Sequence, residues 1–422
     1  MQHIAFDDTV EYSSHKRPMM ELFDWSVFLV AIMLVAIGLI SIYSATFDIK
    51  MSVYFTKQLQ YAAVGMTVMF ALAFMPERWL SITAFGSYGL SIVLLIAVIL
   101  IGKTVYGSKS WLYLGPVGFQ PSELAKIGTL LALAEFISRK GVDLRTIRDM
   151  TTTIAIVALP VALIMLEPDF GSASVFVAML FGVMLWAGVD LFLLFVVVSA
   201  PLIVVSAFVG KVWFYSIASI CTLGAIFFKR GVVATALSIV LFIGVGFSSS
   251  YVYGVLKPHQ KDRILSFLDP ETDPRGKGYN VIQSVMAVGS GGLTGKGFLH
   301  GTQTQLRYIP KQWTDFIFCV PTEEFGFVGG VMVIGLLGIL IFRAIAIASI
   351  AHNKFSAVMC IGVASLLLFH TLVNIGMAIG LFPVMGIPLP FLSAGGSSLV
   401  VNFASVGLLL NAYRLRQAKQ RT

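Results

Sequence analysis

Twelve apolar stretches, separated by short polar turns and by one polar segment of nearly sixty residues, set the plan of this chain. They are Trp25–Thr46, Gln58–Met75, Leu80–Ile101, Leu124–Ile137, Thr151–Leu166, Gly171–Gly188, Leu191–Val209, Trp213–Phe228, Val232–Leu256, Gly326–Phe342, Phe355–Phe382 and Ser397–Tyr413. Most approach the roughly 20 residues that a helix needs to cross a bilayer. Strands of a membrane barrel would alternate in polarity and run about ten residues. The pattern therefore predicts an all-α polytopic membrane protein.

Composition agrees. Of the 422 residues, 57% are hydrophobic and 12% charged, and the mean hydropathy is +0.89. Soluble domains carry about 25% charged residues, so a soluble fold is excluded. The formal net charge of +8 implies no nucleic acid, because cytoplasmic flanks of membrane helices attract Lys and Arg. Cys221, Cys319 and Cys360 lie in apolar sequence without metal-binding spacing, so neither a disulfide nor a structural metal is expected. The first 24 residues are polar, with Asp7, Asp8, Glu11, Lys16 and Arg17. They do not read as a signal peptide, and the first apolar stretch is expected to stay as an uncleaved anchor.

The cations of the short loops orient the chain. With the N-terminus in the cytoplasm, Arg78, Arg139, Lys140, Arg145, Arg148, Lys229, Arg230, Arg343 and Lys354 all fall inside, as does a C-terminal tail with Arg414, Arg416, Lys419 and Arg421. The expected organisation is a cytoplasmic segment 1–24, about nine helices over 25–256, an extracytoplasmic loop 257–314, about three helices over 315–413, and a cytoplasmic tail 414–422. Every segment dense in unusual residues then falls outside the cytoplasmic (inner) membrane.

Five such segments carry candidate chemistry. In the first, Gly107 to Lys126, an outside loop over Lys103–Pro121 leads into Pro121-Ser122-Glu123, which reads as a helix start. Glu123 and Lys126, three apart, share a helix face and can pair. A capped helix with a structural ion pair and a ligand site weigh about equally. Ionisable residues at the membrane edge usually face a polar cavity, which favours the ligand site. The second, Glu167-Pro168-Asp169-Phe170-Gly171, reads as a tight turn with its polar residues at the surface rather than as a catalytic segment. The third is the long segment, where Lys257, Lys261, Arg263, Arg275, Lys277, Lys296, Arg307 and Lys311 outnumber Asp262, Asp269, Glu271 and Asp273. Loops of this length are usually functional or disordered. The interspersed Phe267, Tyr279, Val281, Ile282, Phe298, Leu306, Tyr308 and Trp313 favour a folded lid.

Within that lid, Asp269-Pro270 and Asp273-Pro274 each suit a turn. Asp273 is flanked by Arg275 and Lys277, which keep a carboxylate ionised, and Asn280, Gln283 and Ser284 follow. The glycine run Gly289–Gly297 fails as a phosphate loop, since Ser290 and Gly297 break the pattern. It reads as flexible turns, with Lys296 within reach of phosphate. The fourth segment holds Trp313, Thr314, Asp315 and Phe316, then Pro321-Thr322-Glu323-Glu324. Asp315–Val320 is too short to cross and is expected at the interface. In the fifth, Gly386-Ile387-Pro388-Leu389-Pro390 with Ser393 to Ser398 breaks a helix at the outer mouth, which membranes tolerate only where protein or water satisfies the backbone. His370 reads as packed rather than catalytic. The glycines Gly326, Gly329, Gly330, Gly335 and Gly338 suggest close helix packing.

Seven ordered motifs resemble the SEDS family of cell-wall polymerases, the RodA/FtsW group: WLYLGPVGFQPSELAK, EPDFG, FLDPETDPRGKGYNVIQS, GSGGLTGKG, IPKQWTDFIF, EEFGFVG and GIPLPFLSAGGSS; within it, HGTQTQLRYIP and GIPLP look more like RodA than FtsW. The resemblance spans nearly the whole chain. It implies about ten family-core helices; this chain departs from that number by two extra around Leu191–Leu256, which keep the long segment outside. It implies a peptidoglycan glycosyltransferase that polymerises lipid II during elongation, with a class B penicillin-binding protein as partner. It assigns the essential loop carboxylate to Asp273 and the motif pair to Glu123 and Lys126. Ser110 and Trp313 depart from the motif, where relatives often have Arg and His; Lys109 is a possible substitute beside Ser110.

The expected mechanism uses Asp273 as base toward the acceptor hydroxyl. A diphosphate leaves already anionic, so cations replace the acid that a glycosidase needs. Arg263, Arg275, Lys277 and Lys126 are candidates to hold it, and attack opposite the leaving group predicts inversion. Trp111, Glu123, Asn280, Gln283, Ser284, Lys296, Gln303, Asp315, Ser393 and Ser397 complete the expected substrate-binding set, for lipid II and the growing lipid-linked glycan amid membrane lipids. No cofactor is called for; a divalent cation (Mg or Mn) between carboxylate and diphosphate is compatible, but no ligand set declares it. The competing readings are a flippase for the lipid-linked precursor, which would show midplane charges and an inverted repeat, and a non-catalytic scaffold.

Overall fold

The computed structural model describes residues 23–47, 51–105, 108–115, 117–228, 231–255, 278–310 and 312–416. All twelve apolar stretches hold a helix. These are α1 (Trp25–Ala45), α2 (Met51–Phe74), α3 (Glu77–Ile101), α4 (Pro121–Ser138), α5 (Ile147–Leu166), α6 (Phe170–Trp186), α7 (Leu191–Val209), α8 (Lys211–Phe227), α9 (Val232–Val255), α13 (Gly326–Ser349), α14 (Lys354–Ala378) and α15 (Gly396–Leu415). Among the described residues between α9 and α13 stand α10 (Tyr279–Ser290) and the short α11 (Thr302–Gln305) and α12 (Cys319–Glu324). Among the described residues, α1, α3, α5, α13, α14 and α15 are long and apolar enough to cross a membrane, and α6 to α9 carry shorter apolar runs. The molecule is a polytopic helical membrane protein.

Local chemistry sets the helix ends. Asp24 caps α1 through the amides of Ser26 and Val27, at 3.1 and 3.2 Å. Asp169 caps α6 through Ser172 N at 3.0 Å, and Asn353 caps α14 through Ser356 N at 2.9 Å. Such side chains satisfy amides that a helix start leaves open. Pro121 opens α4 at a position where its missing N–H costs nothing. The apolar run of α14 continues to Phe382, yet the helix stops at Ala378. Gly380 takes φ +77°, and the amides of Gly380 and Leu381 turn back to the carbonyls of Met377 and Gly376 at 3.2 and 2.7 Å. This left-handed cap ends the helix where hydropathy alone would extend it. Conversely, α2 begins at Met51, before the apolar stretch does, and Tyr54 near its start packs on Trp313.

Burial divides the helices. Within the most apolar part of α14, 72% is buried, against 22% for α3 and for α5. The centre of the bundle is thus α14, packed on α4, α6 and α13, while α3 and α5 face outward. The main core joins α1 to α6 with α13 to α15. A separate cluster of Val196, Ile203, Cys221, Ala225 and Phe242 holds α7, α8 and α9 together.

The segment 103–119, expected as a loop, forms a small antiparallel sheet in the order β1 (Lys103–Val105), β2 (Ser108–Leu114), β3 (Val117–Phe119). Lys103 pairs with Trp111, and Leu112 with Phe119. Lys109 caps the end of α3, its Nζ donating to the carbonyls of Ile99 and Leu100 at 2.8 and 3.0 Å.

The α13 glycines differ in part from expectation. A Cβ on Gly329 would lie 2.4 Å from the Pro321 carbonyl, and one on Gly330 3.0 Å from the Thr322 methyl. Those two therefore admit α12 rather than another spanning helix. Gly335 and Gly338 meet nothing within 4 Å.

Candidate functional site

The polar motifs converge at one end of the bundle, where the sheet lies. At its centre is the start of α4. Lys126 Nζ lies 2.8 Å from each carboxylate oxygen of Glu123, and both side chains are nearly buried. Lys126 Nζ is also 3.2 Å from Nε2 of His370 on α14. The other ring nitrogen, Nδ1, stands 3.0 Å from the carbonyl of Pro388. A carbonyl only accepts, so Nδ1 carries the proton and Nε2 accepts from the Lys126 ammonium. His370 is packed, as expected, but it also belongs to the site. The hydroxyls of Ser122 and Thr129 beside the pair are buried without a partner among the described groups.

The broken segment 383–396 wraps this centre. One helical turn beyond His370, Asn374 donates to the carbonyls of Asp315 and Ile387 at 2.9 and 2.8 Å. Ser393 Oγ accepts from Leu389 N at 2.8 Å and donates to the Thr314 carbonyl at 2.7 Å. Ala394 N reaches the Trp313 carbonyl at 2.8 Å, and Gln58 on α2 bonds both Ser393 O and Gly395 N at 3.2 Å. Backbone freed by Pro388 and Pro390 is therefore satisfied by side chains from neighbouring helices. Ser397 Oγ accepts from Gln120 N at 3.3 Å. These bonds give Ser393 and Ser397 the task of shaping the mouth.

A second cluster binds the returning arm of the loop. Glu323, wholly buried, accepts from Lys296 Nζ at 2.8 Å, from the amides of Gln303 and Thr304 at 2.8 and 2.9 Å, and from Thr304 Oγ1 at 2.7 Å. Burial pushes its carboxyl up, but these donors outweigh burial and hold it below the ordinary range. Its neighbour Glu324 accepts from Ser44 Oγ at the end of α1 and from Leu299 N at 3.1 Å. Burial raises the Glu324 carboxyl, with the charge of Glu323 adding to the rise, against the lowering by Ser44, Leu299 and Gln305.

The glycine run, expected as flexible turns, is instead fitted to these glutamates. Lys296 N donates to Glu323 O at 3.1 Å, and Gly297 N to Glu324 O at 2.9 Å. Gly295 has φ +83°, and a Cβ there would lie 2.1 Å from the Glu324 carbonyl. Close backbone approach, not mobility, accounts for glycine. Lys296 Nζ is engaged by Glu323, Ser290 Oγ and Thr302 Oγ1.

The remaining expected residues sit as follows. Trp111 is half-buried on β2. Asn280 and Gln283 are half-buried on α10. Ser284 is buried, and its hydroxyl bonds the Val281 carbonyl of its own helix at 2.8 Å. Gln303 lies on α11, with its side-chain carbonyl buried and without a partner among the described groups. Asp315 adjoins Gly386. Asp273, Arg263, Arg275 and Lys277 lie outside the described residues. Among the described residues no group of three or more His, Cys, Asp or Glu is placed to hold a metal ion.

Sequence reasoning left Glu323, Glu324 and Glu167 without roles. Adjacent carboxylates ahead of an apolar run were one available signal, and the His370–Asn374 spacing, polar at i and i+4 on an apolar helix, was another. Glu167, expected at the surface of its turn, is instead 1% exposed, and both its carboxyl oxygens lack a partner among the described groups. Burial, with the nearby Asp169 charge, pushes it up to about 8.

A helical membrane body with a buried Glu–Lys–His cluster near one end, and a folded arm anchored on Glu323 and Glu324, defines a membrane protein with a polar site at the edge of its bundle. The chain belongs to the FtsW/RodA/SpoVE family, described as cell cycle proteins, whose model matches residues 24–220 and 215–418. It is 35% identical over 361 residues to the peptidoglycan glycosyltransferase MrdB of Escherichia coli K12, covering 84% of each chain. It is 34% identical to the peptidoglycan glycosyltransferase RodA of Treponema pallidum, covering 92% of this chain and 97% of that one. Among solved structures, it resembles RodA of Thermus thermophilus at TM-score 0.63 and 28% identity, covering 94% and 99%. It also resembles a chain in a study of how a peptidoglycan synthase complex coordinates polymerization and crosslinking, at TM-score 0.71 and 32% identity, covering 93% and 98%.

Proposed function

We propose that the chain is a peptidoglycan glycosyltransferase that polymerises lipid II into glycan strands during cell elongation. The observation that carries this reading is the buried Glu123–Lys126–His370 cluster. A buried ion pair is weak evidence for stability, because apolar replacements of similar volume are often as stable. Its place at the start of a membrane helix fits a ligand that is anionic at the membrane edge. Lys126 has three N–H donors. Glu123 and His370 occupy two directions, which leaves one for an oxygen of the lipid diphosphate. Ser122 and Thr129 offer further hydrogen bonds.

In this mechanism Asp273 takes the proton of the acceptor hydroxyl as that oxygen attacks the anomeric carbon of the donor. The bond from that carbon to the diphosphate oxygen breaks, and the lipid diphosphate departs as an anion. Lys126, with Arg263, Arg275 and Lys277, stabilises the charge. Attack from the opposite face inverts the anomeric centre. The apolar flanks of the helices keep the lipid tails in the bilayer. In this reading both termini lie in the cytoplasm and the sheet end lies outside the cytoplasmic membrane, an orientation supported by the cations of the short loops. A class B penicillin-binding protein is the proposed partner, in line with the synthase complex that the chain resembles.

The test is polymerisation by the purified chain with such a partner and lipid II. Wild type should make glycan and Asp273→Ala should not, although it folds and binds the partner. Polymer from Asp273→Ala overturns the base assignment. Lipid II crossing in vesicles without any polymer would point to a flippase instead.

A further inference from the structure

The returning arm of the loop is bonded along its length to α12 and the start of α13. Backbone bonds run from Lys296 and Gly297 to the carbonyls of Glu323 and Glu324. Others run from Phe327 and Val328 to the carbonyls of Gly292 and Leu293 at 2.8 and 3.3 Å. At the centre of this seam sits the Glu323 carboxylate. It acts as the missing cap of α11, because Gly301, the cap residue, offers no side chain. A Cβ on Gly301 would lie 2.8 Å from Glu323 Oε2. The far side of α11 is fixed to α1: Gln305 Nε2 donates to Ser44 Oγ at 3.0 Å, and Gln312 Nε2 bonds Thr304 O at 2.8 Å and Ala45 O at 3.2 Å. A carboxylate buried this completely is strongly unfavourable without its donors. An apolar side chain would close the seam without that cost, but it could not set the angle of α11 or hold Lys296.

We propose that Glu323, with Lys296 as its counter-charge, is a positioning residue for the transfer reaction. It fixes α11 and the glycine run to the helical body, and so holds the arm that follows Asp273 in the chain. The inference rests on the transferase reading above. Glu323 touches no reacting atom; it acts through the arm.

Lys296 is the cleaner test, because its side chain is about one-quarter exposed and its loss leaves the α11 cap intact. In the full chain, under conditions where wild type polymerises lipid II, Lys296→Met should lower kcat about 10-fold with KM within about twofold. The melting temperature should fall, because the buried Glu323 carboxylate loses its counter-charge and is left with the uncharged donors of Gln303 and Thr304, so kcat is counted per folded molecule. Lys296→Arg should restore most of the rate. Glu323→Gln should lower kcat further, about 100-fold. Combined with Lys296→Met it should add little, since the two act as one unit. Wild-type kcat in Lys296→Met, or loss of kcat matched by an equal loss of folded protein, overturns the proposal. If Glu323→Gln does not fold, the Lys296 pair of variants decides. Absence of glycan from wild type counts against the transferase reading itself, whereas full activity in the Lys296 and Glu323 variants counts against the clamp alone.

Discussion

His370 Nε2 accepts a hydrogen bond from Lys126 Nζ at 3.2 Å, across 244 residues of sequence, while His370 Nδ1 donates to the Pro388 carbonyl. One imidazole thus ties the start of α4 to the broken segment that forms the mouth. Hydrogen bonds to charged groups are worth roughly 1.5–3 kcal/mol. His370→Ala should therefore slow polymerisation by about 10- to 100-fold, measured as lipid II turnover by folded protein. His370→Asn, able to donate to Pro388 O but not to reach Lys126 equally, should fall between. Equal rates in all three would remove the histidine from the site.

The Glu123–Lys126 pair separates stability from activity. Lys126→Met strands a buried carboxylate and should cost about 3–5 kcal/mol. The double variant Glu123→Gln, Lys126→Met removes both charges and should recover much of that stability. Neither should polymerise lipid II. Thermal unfolding in detergent read beside glycan synthesis checks both; an active double variant would contradict the proposed diphosphate contact.

Glu167 predicts a pH dependence. Its folded value is raised to about 8, well above the ordinary carboxyl range. The folded state then binds more protons than the unfolded state between about pH 4.5 and 8. Stability contributed by this group is complete at the lower end of that window and declines as pH rises through it. Glu167→Gln should flatten that decline, seen as melting temperature against pH. A slope unchanged by the substitution assigns the effect elsewhere.

Gly295→Ala tests the fit of the glycine run. The substitution brings a Cβ to 2.1 Å from the Glu324 carbonyl at φ +83°. Strain of this kind costs on the order of 1–3 kcal/mol. The expected result is faster proteolysis within 278–310 with the spanning helices intact. Cleavage at the wild-type rate would mean that the run is as loose as its composition suggests.

Much of the fold was legible because hydropathy is carried residue by residue. Each apolar stretch became a helix, and Glu123 and Lys126 met because three residues along a helix share a face. The sheet over 103–119 was harder to see, since its strands are short and their pairing depends on partners across turns. The end of α14 was missed for another reason: the left-handed turn at Gly380 stops a helix within an apolar run. The glycine run misled because the same residue serves loose turns and tight contacts.

By itself, the sequence determined a polytopic helical protein, its family, and the Glu123–Lys126 pair, because these follow from local pattern along a chain in lipid. Only the tertiary structure decided that His370 completes that pair and that Glu323 clamps the arm. Both depend on polar groups with distant partners, and which partners meet is settled when the helices pack.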